Sequence, residues 1–181
     1  KIEVAGTTRL SQEEVKNYAK EFLNIIFFNS ADLEENLKKK FAAINSVEAS
    51  RRLFEKTVKI QITEREDWAV WCKEKCFYID KKGVIFRESP QFVGQLFLKI
   101  RDERNADFRE GDTVIESRVL KNLADFMERV KTNPGLLIKN IEIKNDQEFW
   151  LYFEDPSGIL LVGELKVVMD NRNSPSVQQA K

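Results

Sequence analysis

The sequence contains no histidine and only two cysteines, and both shortages restrict the chemistry available to the chain. Without histidine there is no Ser-His or Cys-His nucleophile pair, and the commonest transition-metal ligand is missing. Two cysteines cannot by themselves complete the four ligands of a structural zinc site. Enzymes and metalloproteins are therefore disfavoured as classes, and we expect no catalytic residues, no metal ligands and no cofactor.

The chain also lacks an excess of charge and lacks long hydrophobic runs. Its 30 Lys and Arg residues are matched by 30 Asp and Glu residues, and no block of one sign is long enough to indicate nucleic-acid binding. No apolar run approaches the ~20 residues of a membrane span, and no signal peptide opens the sequence. Because the chain starts at Lys1 without Met, we expect that a preceding membrane anchor has been removed.

Gly and Pro are scarce, at 7 and 4 residues, whereas hydrophobic residues make up 42% of the 181 residues and Phe alone accounts for 13. This composition allows packed cores and is not that of a disordered chain. With ~100–200 residues per domain as the usual size, one or two compact domains fit the length.

The first 65 residues show a short strand, two amphipathic helices and a hairpin. Ser11 and Glu14 form a capping box for the first helix, and Asn29 with Ser30 begins the second. The apolar positions of the two helices repeat at helical spacing: Val15, Tyr18, Ala19, Phe22, Leu23 and Ile26, then Leu33, Leu37, Phe41 and Ile44. Three lysines, 38–40, suit a solvated last turn better than a lipid or nucleic-acid patch.

Alternation in residues 46–53 and 57–63 predicts the hairpin, so that residues 1–65 form a β-α-α-β-β domain. Residues 66–169 are predicted to form a second domain that is rich in strands and has one long helix. Its expected elements are strands 68–72, 76–80, 84–86 and 95–100, a helix from the Thr113/Glu116 capping box to Asn133-Pro134-Gly135, and strands near 138–144, 147–154 and 159–168. Residues 170–181 are predicted to be a polar tail, and the fold class is α+β.

Cys72 and Cys76 are four residues apart between strand-like flanks. A thioredoxin-type redox pair has C-x-x-C at the start of a helix, which this spacing does not match. If the two flanking strands pair across a three-residue turn, the two cysteines face each other within reach of a disulfide. We therefore expect a disulfide that staples the hairpin, with two unpaired thiols in a reducing compartment as the alternative.

Two acidic pairs, Glu64 with Glu66 and Glu103 with Asp107, resemble general acid and base pairs of hydrolases only in residue type. Because no phosphate loop or metal motif surrounds them, surface charge is the better interpretation. The three tryptophans are candidate ligand-stacking groups, but such residues are more often core or interface anchors: they are Trp68, Trp71 and Trp150.

Several short motifs follow one another in the order found in one known family. They are Ile2-x-Val4-x-Gly6 with Arg9-Leu10-Ser11, Arg52 to Phe54 and Lys56 to Ile62 with Glu64-Arg65 and Ala69-x-Trp71, Tyr78 to Phe86, Trp150 to Tyr152, and Gly158 to Gly163. With these motifs, most of residues 1–163 resembles the extracytoplasmic part of the bacterial division protein FtsQ, also called DivIB. The stretch from Tyr78 is similar to that family's "[VI]D-x-x-G-x-x-F" segment.

This resemblance implies a membrane-proximal POTRA domain followed by a mostly antiparallel β domain, anchored in the cell membrane by one transmembrane helix. It also implies a non-enzymatic scaffold of the divisome that contacts FtsB and FtsL and regulates septal peptidoglycan synthesis. The alternative is a POTRA-containing protein-transport or outer-membrane assembly factor, although that class normally carries several POTRA repeats and no repeat is visible here. A hydrolase that uses paired carboxylates is a third hypothesis.

Two features depart from the family. Asp67 stands where the family usually has proline, and only 18 residues follow Gly163 where the family continues with a helix and closing strands that bind FtsB. The partner-binding residues are therefore unknown, and the second domain is expected to be truncated. The apolar run from Gly158 to Val168 would then be a free sheet edge, which predicts self-association and loss of FtsB binding.

Overall fold

The structure is a computed structural model that divides into two compact units, Lys1–Arg65 and Glu66–Lys181. It describes residues 1–22, 29–90, 97–131, 137–154, 161–169 and 175–179, and the last two ranges are described for their backbone alone. Within these ranges the chain contains helices and two sheets, which confirms the α+β class.

The first unit has the predicted order of one strand, two helices and two strands. Its three-stranded sheet has the order β1-β3-β2, in which β1 runs parallel to β3 and β2 runs antiparallel to β3. The elements are β1 (Ile2–Ala5), α1 (Gln12–Lys20), α2 (Ser30–Lys40), β2 (Ile44–Arg52) and β3 (Thr57–Glu64).

Both helices of this unit begin at the predicted caps. The Ser11 hydroxyl accepts a hydrogen bond from the backbone N–H of Glu14 at 3.3 Å, and the Asn29 side chain accepts one from Ala31 at 3.1 Å. The helices bury one apolar face against the sheet, and the core they form contains Val15, Ala19, Leu33, Leu37, Val47, Ile60 and Ile62. The predicted inner positions Leu23 and Ile26 lie outside the described residues.

The second unit is built on an eight-stranded mixed sheet with the order β11-β10-β9-β8-β7-β4-β5-β6. Its strand pairs are antiparallel except β4 with β7 and β7 with β8. The elements are β4 (Ala69–Cys72), β5 (Cys76–Ile79), β6 (Ile85–Glu88), β7 (Leu98–Asp102), α3 (Ser117–Lys131), β8 (Leu137–Asn145), β9 (Glu148–Glu154), β10 (Leu161–Met169) and β11 (Pro175–Gln179).

Helix α3 connects the parallel strands β7 and β8, since parallel neighbours need a crossover and cannot be joined by a tight turn. Its residues Leu120 and Leu123 are buried in the same cluster as Trp71 and Phe149 from the sheet. The helix thereby covers one apolar face of the central strands. The predicted helix stop at Asn133-Pro134-Gly135 and the predicted turn at Asp155–Gly158 lie outside the described residues.

The predicted start of α3 at Thr113 is wrong, because the helix begins at Ser117. Residues before it run beside the β5–β6 connection as extended chain: Thr113 forms a bridge with Val84, and the Val114 N–H donates to the Gly83 carbonyl at 2.9 Å. Pairing of this segment with a neighbouring strand uses the backbone groups that a first helical turn would need. Thr113 and Glu116 do form a capping-box pattern, but backbone pairing of Thr113 and Val114 with residues 83–84 prevents a helix from starting there.

The C-terminal segment also differs from the expectation. Residues 170–181 were predicted to be a polar tail, yet β11 within them pairs antiparallel with β10, opposing Val167 to Val177. Strand β10 is therefore not a sheet edge, and the prediction that it is left free is wrong. A polar strand can occupy an edge because pairing there depends on main-chain hydrogen bonds and not on an apolar side-chain pattern.

Candidate interaction surfaces

Cys72 and Cys76 lie at the mouth of the β4–β5 hairpin as a directly opposed pair. The turn between them is closed by a hydrogen bond from the Lys73 N–H to the Lys75 carbonyl at 3.0 Å, and the structure joins the two sulfurs in a disulfide. Both side chains are buried. The arrangement is a short covalent staple on a hairpin, with no third ligand that would make it a metal site in the described part of the chain.

We expect Cys72 and Cys76 to be oxidised in protein recovered from an oxidising compartment. The closed loop spans a sequence separation of only 4 residues, so the stabilisation should fall below the ~3 kcal/mol of a 15-residue loop. Titration of thiols in denatured, unreduced protein measures the oxidation directly, with a reduced sample as the control. Recovery of two free thiols would contradict both the staple and export of the domain.

The carboxylate of Glu64 is bonded to the loop between β1 and α1. It accepts hydrogen bonds from the backbone N–H groups of Thr8 at 2.8 Å and Leu10 at 2.9 Å, from that of Arg9, and from the Thr8 hydroxyl at 2.8 Å. Burial opposes ionisation, but the bonds from Leu10, Thr8 and Arg9 outweigh it and hold the pKa of Glu64 below its ordinary value. Glu64 thus fastens the β1–α1 loop to the end of β3.

Because the pKa of Glu64 is lowered on folding, its contribution to stability is complete above the unfolded value of 4.5 and is lost as the pH falls through the folded value. We expect Glu64→Gln to lower the free energy of unfolding of the first unit at neutral pH by about 1–2 kcal/mol. The loss should shrink below about pH 5. Circular dichroism during denaturant unfolding at several pH values measures it, with the exposed Glu48→Gln as control. An equal loss at every pH would contradict this role.

Glu103 and Asp107 also contact different partners. Glu103 accepts from the Lys144 ammonium at 2.8 Å, whereas the exposed Asp107 lies 4.0 Å from the Lys73 ammonium. Lys144 reaches Glu142 as well, at 2.9 Å, and the hydrogen bonds that the ammonium donates to the Glu103 and Glu142 carboxylates raise the pKa of Lys144 above its ordinary value. These groups form an ion-pair row on the sheet, and nothing in their geometry supplies an acid and base pair.

A cleft of about 750 Å³ lies in the second unit between the segment that precedes α3 and the β8–β9 turn. Arg104 lines it and uses its guanidinium on the molecule's own acceptors: Asp102 at 2.6 and 2.9 Å, Asp146 at 2.6 Å and the Val114 carbonyl at 2.6 Å. Trp71 donates its indole N–H to the same Asp102 at 2.9 Å. The guanidinium therefore bonds to three segments: the end of β7, the β8–β9 turn and the segment before α3.

Asp102 is buried, which opposes ionisation, but the hydrogen bonds from Arg104 and Trp71 outweigh this and lower the pKa of Asp102 below its ordinary value. Sequence reasoning missed this network. The sequence offered only a weak signal for it, namely that Asp102 ends a strand and Arg104 follows two positions later. Trp71 and Asp146 are distant in sequence, and only the fold brings them to this pair.

The tryptophans contact protein groups in the structure. Trp71 is buried in the core of the second unit, Trp68 packs against that core, and the Trp150 indole donates to Glu148 at 2.7 Å. The core role that residue type favours therefore holds for Trp71.

The strands at the ends of the two sheets are the surfaces best suited to partner binding. In the described residues these are β1 and β2 of the first unit and β11 of the second, because the first residue of β6, Ile85, already exchanges backbone hydrogen bonds with Gly111 and Asp112. A strand at the end of a sheet has one row of backbone N–H and C=O groups that can pair with a strand of another chain.

Residues 1–65 match the family model described as POTRA domain, FtsQ-type. The first unit is an FtsQ-type POTRA domain. Domains of this type are protein-interaction modules of cell-division scaffolds, in a family that is membrane-anchored and generally non-enzymatic. None of the curated proteins matches the chain. No helix in the described ranges has the length and apolar character to cross a membrane.

The POTRA domain also explains one motif of the sequence. Gly6 of the I-x-V-x-G opening has a φ of +84°, and a Cβ there would lie 2.0 Å from the Ile62 carbonyl oxygen. Only glycine allows β1 to turn away at this point while it remains paired with β3. The recognition of an FtsQ-type POTRA domain rests on the family model over residues 1–65.

Proposed function

We propose that this protein is a non-enzymatic scaffold of the bacterial division complex of the FtsQ/DivIB type. The observation that carries the proposal is the FtsQ-type POTRA domain over residues 1–65. A strand-rich unit with one long helix follows it, which is the order of parts implied by the family resemblance. The FtsQ-type match favours this role over that of a transport or outer-membrane assembly factor.

The proposed partners are proteins of the FtsB and FtsL type, and the proposed effect is regulation of septal peptidoglycan synthesis through them. The proposed location is the cell membrane, with a single transmembrane helix that precedes this region and with the region itself outside the cytoplasm. Strand addition to β11 is the proposed mode of contact, since β11 ends the eight-stranded sheet in the described residues.

Co-purification of this chain with the FtsB-type and FtsL-type proteins of the same organism tests the proposal. The proposed mode is tested with two adjacent substitutions in β11, Ser176→Pro and Val177→Pro. Because the N–H groups of successive residues point to opposite sides of a strand, one proline removes a bond to β10 and the other removes a donor at the edge.

We expect one of the two variants to lose partner binding while its unfolding curve stays unchanged. Binding by neither protein type would reject the division role. Partner binding that survives both substitutions would reject strand addition at β11 but leave the division role intact.

A further inference from the structure

The tip of the β2–β3 hairpin carries the two most exposed large hydrophobic side chains in the described part of the chain. Phe54 is 105% exposed and Leu53 is 68% exposed, compared with 48% for Leu137, the next in order. A single exposed apolar side chain is common on soluble proteins. Two adjacent ones at the turn of a hairpin form an exposed apolar point that can insert into a soft surface.

Cations flank this apolar pair. Arg51, Arg52 and Lys56 are exposed, and the only acidic residue between positions 51 and 56 is Glu55, which pairs with Arg52 at 3.1 Å. The tip therefore has a net charge of +2 from three cations and one anion. Apolar side chains bordered by Lys and Arg are the combination that binds the interface of an anionic bilayer, where the apolar groups enter the headgroup region and the cations contact phosphate.

The chain enters the POTRA domain at the same end as the hairpin tip. The backbone nitrogen of Lys1 donates to the Lys56 carbonyl at 2.9 Å, and Ile2 pairs with Val58 at the start of β3. A membrane anchor that precedes Lys1 would consequently hold this end of the domain, and the tip with it, close to the bilayer.

We propose that the hairpin tip, residues 51–56, binds anionic phospholipid and inserts Leu53 and Phe54 into the headgroup region. The proposal rests on the proposed function only for the presence of a membrane next to this end of the domain. The inserted tip would act as a second point of attachment and would restrict how the POTRA domain tilts on its anchor.

The test reproduces the attachment in vitro. Because the chain contains no histidine, an N-terminal hexahistidine tag tethers it specifically to vesicles that contain a nickel-chelating lipid. A reporter tryptophan is introduced as Phe54→Trp, and its emission is obtained by subtracting the spectrum of the unsubstituted protein. The matched control is Leu137→Trp, which places the same reporter at an exposed apolar position of the second unit.

On phosphatidylglycerol vesicles we expect the emission of Phe54→Trp to shift to the blue and to be quenched by lipids brominated near the headgroup. The Leu137→Trp emission should not change. On phosphatidylcholine vesicles the shift should be smaller, and adding Arg51→Gln and Lys56→Gln to Phe54→Trp should lower the insertion equilibrium on anionic vesicles about thirtyfold.

Unchanged emission of tethered Phe54→Trp on phosphatidylglycerol would overturn the proposal. A tip that binds a protein and not lipid would give this same result. Equal shifts for Phe54→Trp and Leu137→Trp would also overturn it, since that result indicates general adsorption. The vesicles contain no division protein and the co-purification contains no lipid, so failure of one proposal is distinguishable from failure of the other.

Discussion

Replacing Gly83 with alanine is expected to lower the free energy of unfolding of the second unit by more than about 3 kcal/mol. Gly83 has a φ of +80°, and a Cβ added there would lie 2.0 Å from the carbonyl oxygen of Ile115. The alanine would therefore combine an unfavourable backbone conformation with a collision against a backbone atom, which cannot move aside as a flexible side chain can.

The turn around Gly83 has little freedom to relax. Asp80 accepts hydrogen bonds from the N–H groups of Lys82 at 2.9 Å and Val84 at 3.0 Å, and its carbonyl accepts from Gly83 at 3.0 Å. The Gly83 carbonyl in turn accepts from Val114 at 2.9 Å. A shift that relieved the collision would break bonds on both sides of the turn, which is why a large effect is expected.

Tryptophan fluorescence during denaturant unfolding measures the effect, because all three tryptophans belong to the second unit. Gly111→Ala is the matched control: Gly111 also has a positive φ, of +97°, but a Cβ there would meet nothing within 4 Å. The Gly111→Ala substitution should lower the free energy of unfolding only by the cost of placing alanine at a positive φ, about 1–2 kcal/mol. Equal losses for the two variants would show that the contact with Ile115 is unimportant.

Replacing Leu37 with alanine is expected to destabilise the POTRA domain by about 2–5 kcal/mol. The Leu37 side chain is fully buried in the core between helix α2 and the sheet, so the substitution leaves a cavity. Residues 1–65 are near the ~60-residue size at which a domain is only marginally stable. A loss of this size should leave much of the POTRA domain unfolded at room temperature.

Because the POTRA domain contains no tryptophan, its unfolding is followed in the whole chain by far-ultraviolet circular dichroism, while fluorescence follows the second unit. Leu37→Ala should remove helical signal and leave the fluorescence transition in place. The control is Lys38→Ala, an exposed neighbour on the same helix, which should change stability by less than about 0.5 kcal/mol. A fully folded Leu37→Ala protein would mean that the inner face of α2 was misidentified.

The helical caps, the buried helix faces and the hairpins were predictable because each depends on residues that are close in sequence. Ser11 and Asn29 cap the helices as predicted, and the three-residue turn between Cys72 and Cys76 brings them into opposition. Periodicity and capping are local properties that a single sequence displays directly.

The start of α3 and the fate of the C-terminal segment were not predictable in this way. Thr113 carries a capping pattern, yet it pairs with Val84, and the polar residues of β11 pair with β10. Both outcomes depend on backbone hydrogen bonds to distant segments, and such bonds leave no mark in side-chain periodicity.

The local pattern of the sequence determined the α+β class, the β-α-α-β-β order of the POTRA domain and the opposed cysteines. Tertiary structure alone decided that Glu64 fastens the loop at Thr8, that Arg104 joins Asp102 to Asp146, and that Lys1 lies beside the hairpin tip. Each of these contacts joins segments whose approach is set by the packing of whole elements. Residue types show only that a carboxylate or a guanidinium is available, and the fold selects which group it meets.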